Sequence, residues 1–301
     1  MLVDFHVHST ASDGTCAPHE LAEAAAKGAF AAIAITDHDN ADGADEFLSA
    51  GRRAMENGSS TVFFAGVELS IEPGEGFDKF HLLALGVDRE DEGLKALLGR
   101  VLAGRNERNE RIFENFRRIG IPDMAPEPHG DVLARPHFAR WLYEHGYAGS
   151  VKEAFERYLL PDSPRETRCY VERFHPSQEE TFAVVHAAGG LCVMAHPRFW
   201  RHGWKVSGPE YADAERGLAA LKEKGLDGLE ANYQANSPEE NLAFEQIATR
   251  LELLKTAGSD FHGSNKPTIS LGMEVTDAFI GPFLERMSEV ACHSHRAAFL
   301  V

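Results

Sequence analysis

His6 and His8 stand two residues apart in D-F-H-V-H-S, Asp13 follows in S-D-G, and His38 lies in T-D-H-D. Farther along come Glu68 in G-V-E-L-S, His81 in F-H-L-L, His196 in A-H-P, and Asp260 with His262 in G-S-D-F-H-G. Imidazoles with carboxylates suit Zn, Mn or Fe, and this set exceeds what one tetrahedral ion takes. The expectation is a cluster of two or three divalent metal ions (Mn, Fe or Zn), with a carboxylate such as Glu68 able to bridge two of them. Ions about 3.5–4 Å apart hold a hydroxide and clamp both ends of an in-line displacement, so the natural chemistry is hydrolysis of a phosphate ester. The attacking group is then metal-bound hydroxide, and no side-chain nucleophile is required. Ser9 and Thr36 lie close to the candidate ligands but have no base partner outside the ligand set. A histidine standing alone, such as His145 or His186, reads as a surface or satisfied core residue.

These residues need a scaffold that gathers them. Short apolar runs recur at 2–7, 31–36, 62–67, 80–86, 191–195, 226–231 and 251–257, which predicts seven strands. Helix starts fall between them: Pro18 before L-A-E-A-A-A-K-G, Ser177 with Glu180, and Ser237-Pro238 with Glu240. Alternating strands and helices predict a mainly parallel sheet. Nearly all candidate ligands follow a strand, so they collect at one end of it. His81 opens its strand, and it joins the same rim if the third and fourth strands form a hairpin through 70–79, since antiparallel neighbours run in opposite senses. The C-terminal rim of a parallel barrel is where catalytic groups gather. H-x-H at a strand end also puts both side chains on one face.

The stretch 95–175 reads differently. L-K-A-L-L-G-R-V-L-A-G-R-N-E-R-N-E-R-I-F-E-N-F-R-R-I-G has helical periodicity, A-R-P-H-F-A-R-W-L-Y-E-H-G is helical after Pro136, and Ser150 with Glu153 caps V-K-E-A-F-E-R-Y-L. It is expected to be a helical insertion over the barrel mouth, interrupting a barrel of residues 1–94 and 176–301.

A formal charge of −17 disfavours a groove for duplex DNA, because phosphate-tracking proteins carry net positive surface. Small anionic substrates remain open, since bound cations supply local positive charge. No apolar run is long enough to span a bilayer, and the N-terminus shows no signal-peptide pattern. The expectation is a soluble, cytoplasmic protein without a membrane partner. Four scattered cysteines, with no Cys-x-x-Cys, read as reduced structural thiols.

The motifs D-F-H-V-H-S…S-D-G, T-D-H-D, V-E-L-S, A-H-P and G-S-D-F-H-G resemble those of the PHP (polymerase and histidinol phosphatase) superfamily over nearly the whole chain. The resemblance implies an α/β fold, a distorted seven-stranded (β/α) barrel. Asp13, R-P-H-F-A-R and the S-D-F-H-G ending resemble the branch of nucleoside 3′,5′-bisphosphate phosphatases and RNase AM-like 5′→3′ exonucleases. Carried onto matching positions, it implies one metal site from His6, His8, Glu68 and Asp260. A second shares Glu68 with His81 and His196, and a third uses Asp13, His38 and His262. Arg135 and His137 match the phosphate-binding segment of the branch, where a guanidinium fork suits a bidentate grip on phosphate. Two departures concern substrate binding. Where the branch has Gly-Lys before Y-V, only Arg165 or Arg168 can stand in, and Arg198-Phe199-Trp200 replace Gly-Arg-Tyr after A-H-P.

The implied activity is release of phosphate from a small nucleotide, a nucleoside 3′,5′-bisphosphate converted to the 5′-monophosphate. The alternatives are a 5′→3′ exoribonuclease acting on short RNA ends, another small-molecule phosphatase such as a histidinol phosphatase, and a metal-binding regulatory protein without turnover. The complete ligand set argues against the last.

Overall fold

The computed structural model describes residues 1–72, 79–126, 133–199 and 211–293. Each predicted apolar run overlaps a strand, and β3, β6 and β7 extend past theirs: β1 (Leu2–Asp4), β2 (Ala32–Ile35), β3 (Val62–Ile71), β4 (Phe80–Leu85), β5 (Leu191–Met194), β6 (Gly228–Tyr233) and β7 (Leu254–Gly258). Among the described residues the expected count of seven is corrected to eight by β8 (Met273–Glu274), which pairs antiparallel with β1. Two residues of mixed polarity carry no periodic signal, so β8 exists through its pairing rather than its own sequence. The helices are α1 (Pro18–Lys27), α2 (Ala44–Glu56), α3 (Glu92–Arg118), α4 (Arg135–Glu144), α5 (Val151–Ala154), α6 (Gln178–Ala187), α7 (Tyr211–Glu223), α8 (Pro238–Arg250) and α9 (Asp277–His293).

The chain forms two compact units, Met1–Leu98 with Pro176–Val301, and Gly99–His175. In the first, the strand order is β7-β6-β5-β4-β3-β2-β1-β8. Four neighbouring pairs are parallel; β4 runs antiparallel to both β3 and β5. The sheet nearly closes on itself beyond β1. Phe5 N–H donates to Ala257 O at 3.0 Å, Asp260 N–H to His6 O at 2.9 Å, and His8 N–H to Phe261 O at 3.0 Å. That seam lays the residues after β1 beside those after β7.

Strand β2, Ala-Ile-Ala-Ile, is buried on both faces, as a strand between barrel interior and helices must be. Helix α2 turns Ala44, Phe47, Leu48 and Gly51 inward at helical spacing. Phe47 meets Phe63 of β3 edge-on at 5.7 Å, and a Cβ on Gly51 would stand 2.6 Å from the Phe63 ring. Glycine is therefore what lets helix and strand approach so closely. Burying a side chain such as Phe47 contributes about 1.5–3 kcal/mol. Helix α8 begins with a reciprocal cap: Ser237 Oγ accepts from Glu240 N–H at 3.2 Å and Glu240 Oε2 from Ser237 N–H at 2.6 Å. Ser177 and Ser150 each accept from the N–H three residues on.

The second unit has its own core, in which Ile112 and Phe116 of α3 pack with Phe138 and Leu142 of α4, Tyr158, Leu159 and Cys169. The predicted V-K-E-A-F-E-R-Y-L helix divides into α5 and a π-helical turn, Phe155–Leu159.

Candidate metal centre

Glu68 does not follow β3 but lies inside it, because that strand runs on to Ile71. This extension sets the geometry. Ser70 faces His81 across the antiparallel pair, so the start of β4 lies alongside the far end of β3. The turn expected between these strands falls mainly on residues 73–78, outside the described residues. His38, past the end of β2, bridges to Glu68.

All nine candidate ligands converge on one end of the barrel. Glu68, almost fully buried, turns its two oxygens toward different histidines. Oε2 lies 3.3 Å from His6 Nε2, 3.3 Å from His8 Nε2 and 2.8 Å from His38 Nδ1. Oε1 lies 2.7 Å from His81 Nδ1 and 3.0 Å from His196 Nε2. Asp260 Oδ1 lies 3.4 Å from His8 Nε2 and 3.7 Å from His6 Nε2. Asp13 Oδ1 lies 3.2 Å from His262 Nε2, 3.8 Å from His38 Nε2 and 3.9 Å from His8 Nδ1. His8 and His38 therefore each stand between two groups of donors, an overlap the sequence motifs do not reveal.

Local structure aims these side chains. A Cβ on Gly14 would stand 2.2 Å from His8 O, so S-D-G folds tightly against the end of the first strand and brings Asp13 over it. Asp37 ties this loop down, accepting from Ser9 N–H at 2.8 Å, Ser9 Oγ–H at 2.7 Å and Ser12 Oγ–H at 2.6 Å. The Ser9 hydroxyl is thus committed to Asp37, and Thr36 Oγ donates to Val7 O at 3.2 Å, so both support the site. Asp260 and His196 adopt left-handed backbone, with φ of 58° and 26°, a conformation that costs non-glycine residues about 1–3 kcal/mol and clusters at functional sites.

Burial raises the cost of ionising Glu68, Asp260 and Asp13, yet the surrounding groups outweigh it and hold all three carboxyls below their ordinary range. For Glu68 these are chiefly His38, His81 and His6; for Asp260 they are His6, His8, Lys266 and His262. Burial likewise opposes a proton on His6, but Glu230, Glu68 and Asp260 raise its affinity for one. The pocket is built for ionised carboxylates facing positive charge. His6 Nε2, both ring nitrogens of His8, Asp13 Oδ1 and Glu68 Oε2 are buried without a hydrogen bond. Buried polar atoms almost always find partners, and more than one cation would be needed to partner these five, since the two ring nitrogens of His8 face different carboxylates. The donor set therefore fits divalent metal. Beside it opens a cavity of about 310 Å³, lined among others by His81, His196, Phe80, Lys79 and Lys266.

The two residues expected at a phosphate lie in the second unit. Arg135 opens α4 with its guanidinium 5.6 Å from the centre of the Tyr170 ring, and His137 Nδ1 accepts from Ala134 N–H at 2.9 Å. Of the residues considered as stand-ins for lysine, Arg168 donates to Pro161 O at 2.7 Å, and Arg165 lines a surface recess with Arg157. Arg198 binds Ala235 O, and Trp200 lies outside the described residues.

Four residues at the site escaped the motifs. Tyr233 Oη–H donates to Asp260 Oδ2 at 3.0 Å and Lys266 Nζ reaches the same oxygen at 2.5 Å, which leaves Oδ1 to face the histidines. Asp37 sits inside T-D-H-D, hidden by its neighbour. Glu230 is a lone carboxylate in an apolar strand, 224 residues from His6, and no motif marks it. His186 and His145 stand apart: His186 Nε2 pairs with Asp227 at 2.8 Å, near Cys192 at the opposite end of β5, and His145 stacks on Trp141.

A family model described as the PHP domain matches residues 4–158. The chain is 31% identical to a 3′,5′-nucleoside bisphosphate phosphatase of Chromobacterium violaceum, over 86% of this chain and 87% of that protein. It is 29% identical to the 5′-3′ exoribonuclease Rnm of Escherichia coli K12, over 91% of this chain and 89% of that one. The solved structure of an amidohydrolase from Chromobacterium violaceum with bound sulfate superposes with a TM-score of 0.78 at 28% identity, covering 96% of both chains. Among the described residues no helix is long and apolar enough to cross a membrane.

Proposed function

The chain belongs to the PHP domain family, and on that premise we propose that it is a metal-dependent phosphoesterase that hydrolyses a nucleoside 3′,5′-bisphosphate to the 5′-monophosphate and phosphate. The observation that carries this reading is Glu68, whose oxygens face two separate sets of histidine nitrogens, as a carboxylate shared by two cations requires. His6, His8 and Asp260 with Glu68, His81 and His196 with Glu68, and Asp13, His38 and His262 are the three ligand sets. When bound, the cations lower the pKa of water and neutralise charge developing on phosphorus and the leaving oxygen.

The protein's own groups do the positioning. Tyr233 and Lys266 hold one oxygen of Asp260, so only the other is free as a ligand. The Lys266 ammonium also lines the cavity, where it draws in an anionic substrate. Arg135 and His137 take the phosphate that is not cleaved, and the binding energy of that remote group orients the scissile one. Ser9 and Thr36 take no part in bond making.

A second reading, exoribonuclease action on short RNA ends, is favoured by the likeness to the E. coli enzyme and by charge distribution. Residues 99–175 carry 13 of the 30 basic side chains but only 12 of the 47 acidic ones. The strongly acidic remainder does not suit a nucleic-acid backbone.

Purified protein should hold at least two equivalents of Mn, Fe or Zn, and a chelator should abolish turnover that returns with added metal. Elemental analysis after reconstitution with excess metal decides this. One equivalent or less sinks the bridged cluster.

A further inference from the structure

Glu230 lies within β6 with its carboxylate wholly buried, and each of its oxygens meets a different histidine. Oε1 stands 2.9 Å from His6 Nδ1, while Oε2 accepts from the backbone N–H of His196 at 2.5 Å. These two histidines face opposite oxygens of Glu68, His6 Nε2 at 3.3 Å from Oε2 and His196 Nε2 at 3.0 Å from Oε1. Their rings lie 5.6 Å apart, stacked at 26°. On the neighbouring strand β7, a Cβ on Gly258 would stand 2.1 Å from Glu230 Oε1 and 2.5 Å from His6 Cβ. The contact between His6 and Glu230 therefore exists only because that position is glycine.

We propose that Glu230 is a positioning residue that fixes the proton of His6 on Nδ1 and pins the left-handed backbone of His196, so that both rings present Nε2 toward Glu68. The inference rests on the phosphoesterase reading only for what those nitrogens then bind. An ionised carboxylate can only accept. Its hydrogen bond to His6 Nδ1 requires the proton there and leaves Nε2, buried without a hydrogen bond, with its lone pair bare. At His196 the same carboxylate accepts from the backbone N–H of a residue whose φ is 26°, a conformation that persists only where its surroundings hold it. A carboxylate behind a metal-binding imidazole orients the ring and raises its basicity. Here one carboxylate serves two rings on opposite sides of the bridging glutamate.

Glu230→Gln keeps the shape and supplies the test. The His196 N–H cannot reverse, so the amide oxygen takes it and the amide NH₂ turns to His6. Nδ1 must then accept, and the proton moves to Nε2, the atom needed for a ligand. Zinc affinity, read by competition with a chromophoric chelator, should fall roughly 10–100-fold. In ¹⁵N-histidine spectra of the zinc-loaded parent, the His6 Nδ1–H should be visible and protected from exchange, and in Glu230→Gln it should be gone. Gly258→Ala, which pushes Oε1 away without removing it, should weaken zinc in the same way. Unchanged zinc affinity with an intact Nδ1–H in Glu230→Gln overturns the proposal. So does a parent spectrum with the His6 proton on Nε2, which needs no variant to fold. A parent that takes up none of zinc, manganese or iron yet shows the protected Nδ1–H supports the tautomer assignment while defeating the phosphoesterase reading.

Discussion

Glu68→Ala should reduce phosphoesterase turnover at least about 1,000-fold, because it removes the one carboxylate that two ligand sets share and with it the placement of charge around the reacting phosphate. The side chain is 1% exposed, so no water can replace the lost oxygens without entering the cluster. Its nearest partners, His81 at 2.7 Å and His38 at 2.8 Å, would keep their positions but lose the anion between them. Steady-state rates under saturating metal read the effect, and the unfolding midpoint of the metal-free variant checks that the barrel persists. A variant keeping more than a tenth of the parent rate is incompatible with a bridging role.

Asp13→Ala should behave differently. Asp13 Oδ1 gathers His262, His38 and His8 at 3.2–3.9 Å, and of these only His38 and His8 also face Glu68. Its loss should slow turnover at limiting metal, with partial recovery as metal is raised. Unaltered turnover at limiting metal removes the third ion and leaves the Glu68 pair standing.

How much of this could be read from the chain depends on what kind of interaction sets each feature. The candidate ligands were legible because strand ends advertise themselves: an apolar run stops and a histidine or carboxylate follows, as at Met194-Ala195-His196 or Gly258-Ser259-Asp260. The place of His81 was legible through antiparallel geometry alone, and it faces Ser70 as that argument requires. What stayed hidden depends on long-range pairing. Strand β8 is two residues long and exists only against Leu2 and Val3. Glu68 reads as following a strand because V-F-F-A-G-V is the apolar part, whereas pairing with β4 carries β3 on to Ile71. Glu230 and Tyr233 lie 224 and 27 residues from the candidate ligands they touch, His6 and Asp260, so no local spacing could connect them. The overlap of donor groups through His8 and His38 is likewise a fact of ring orientation. Motifs name residues, not which nitrogen faces which oxygen.

A substrate with a phosphate at each end of the ribose should separate the reading offered here from a general phosphatase. Arg135 opens α4 over Tyr170, and burial there lowers its hold on its proton, with Arg105 acting in the same direction and Tyr170 and Glu172 against it. A desolvated guanidinium beside a second cation gains most from a doubly charged oxyanion, which it can take with two parallel N–H donors. Charge-assisted bonds of this kind contribute about 1.5–3 kcal/mol, or roughly 10–100-fold in rate when they act in the transition state. Adenosine 3′,5′-bisphosphate should therefore be hydrolysed with higher kcat/KM than 3′-AMP or 5′-AMP by about that factor, with the 3′-phosphate released. Arg135→Ala should erase most of the preference while leaving slow hydrolysis of an aryl phosphate nearly intact, since that ester offers nothing for the guanidinium to hold. Product analysis and kinetics on the three nucleotides and the aryl ester, for parent and variant together, give the answer. Equal efficiency on bisphosphate and monophosphates, or a loss in Arg135→Ala that is uniform across all four, is incompatible with a second grip. A parent that instead degrades 5′-phosphorylated RNA faster than any mononucleotide, with Arg135→Ala slowing that reaction most, assigns the same guanidinium to an RNA end.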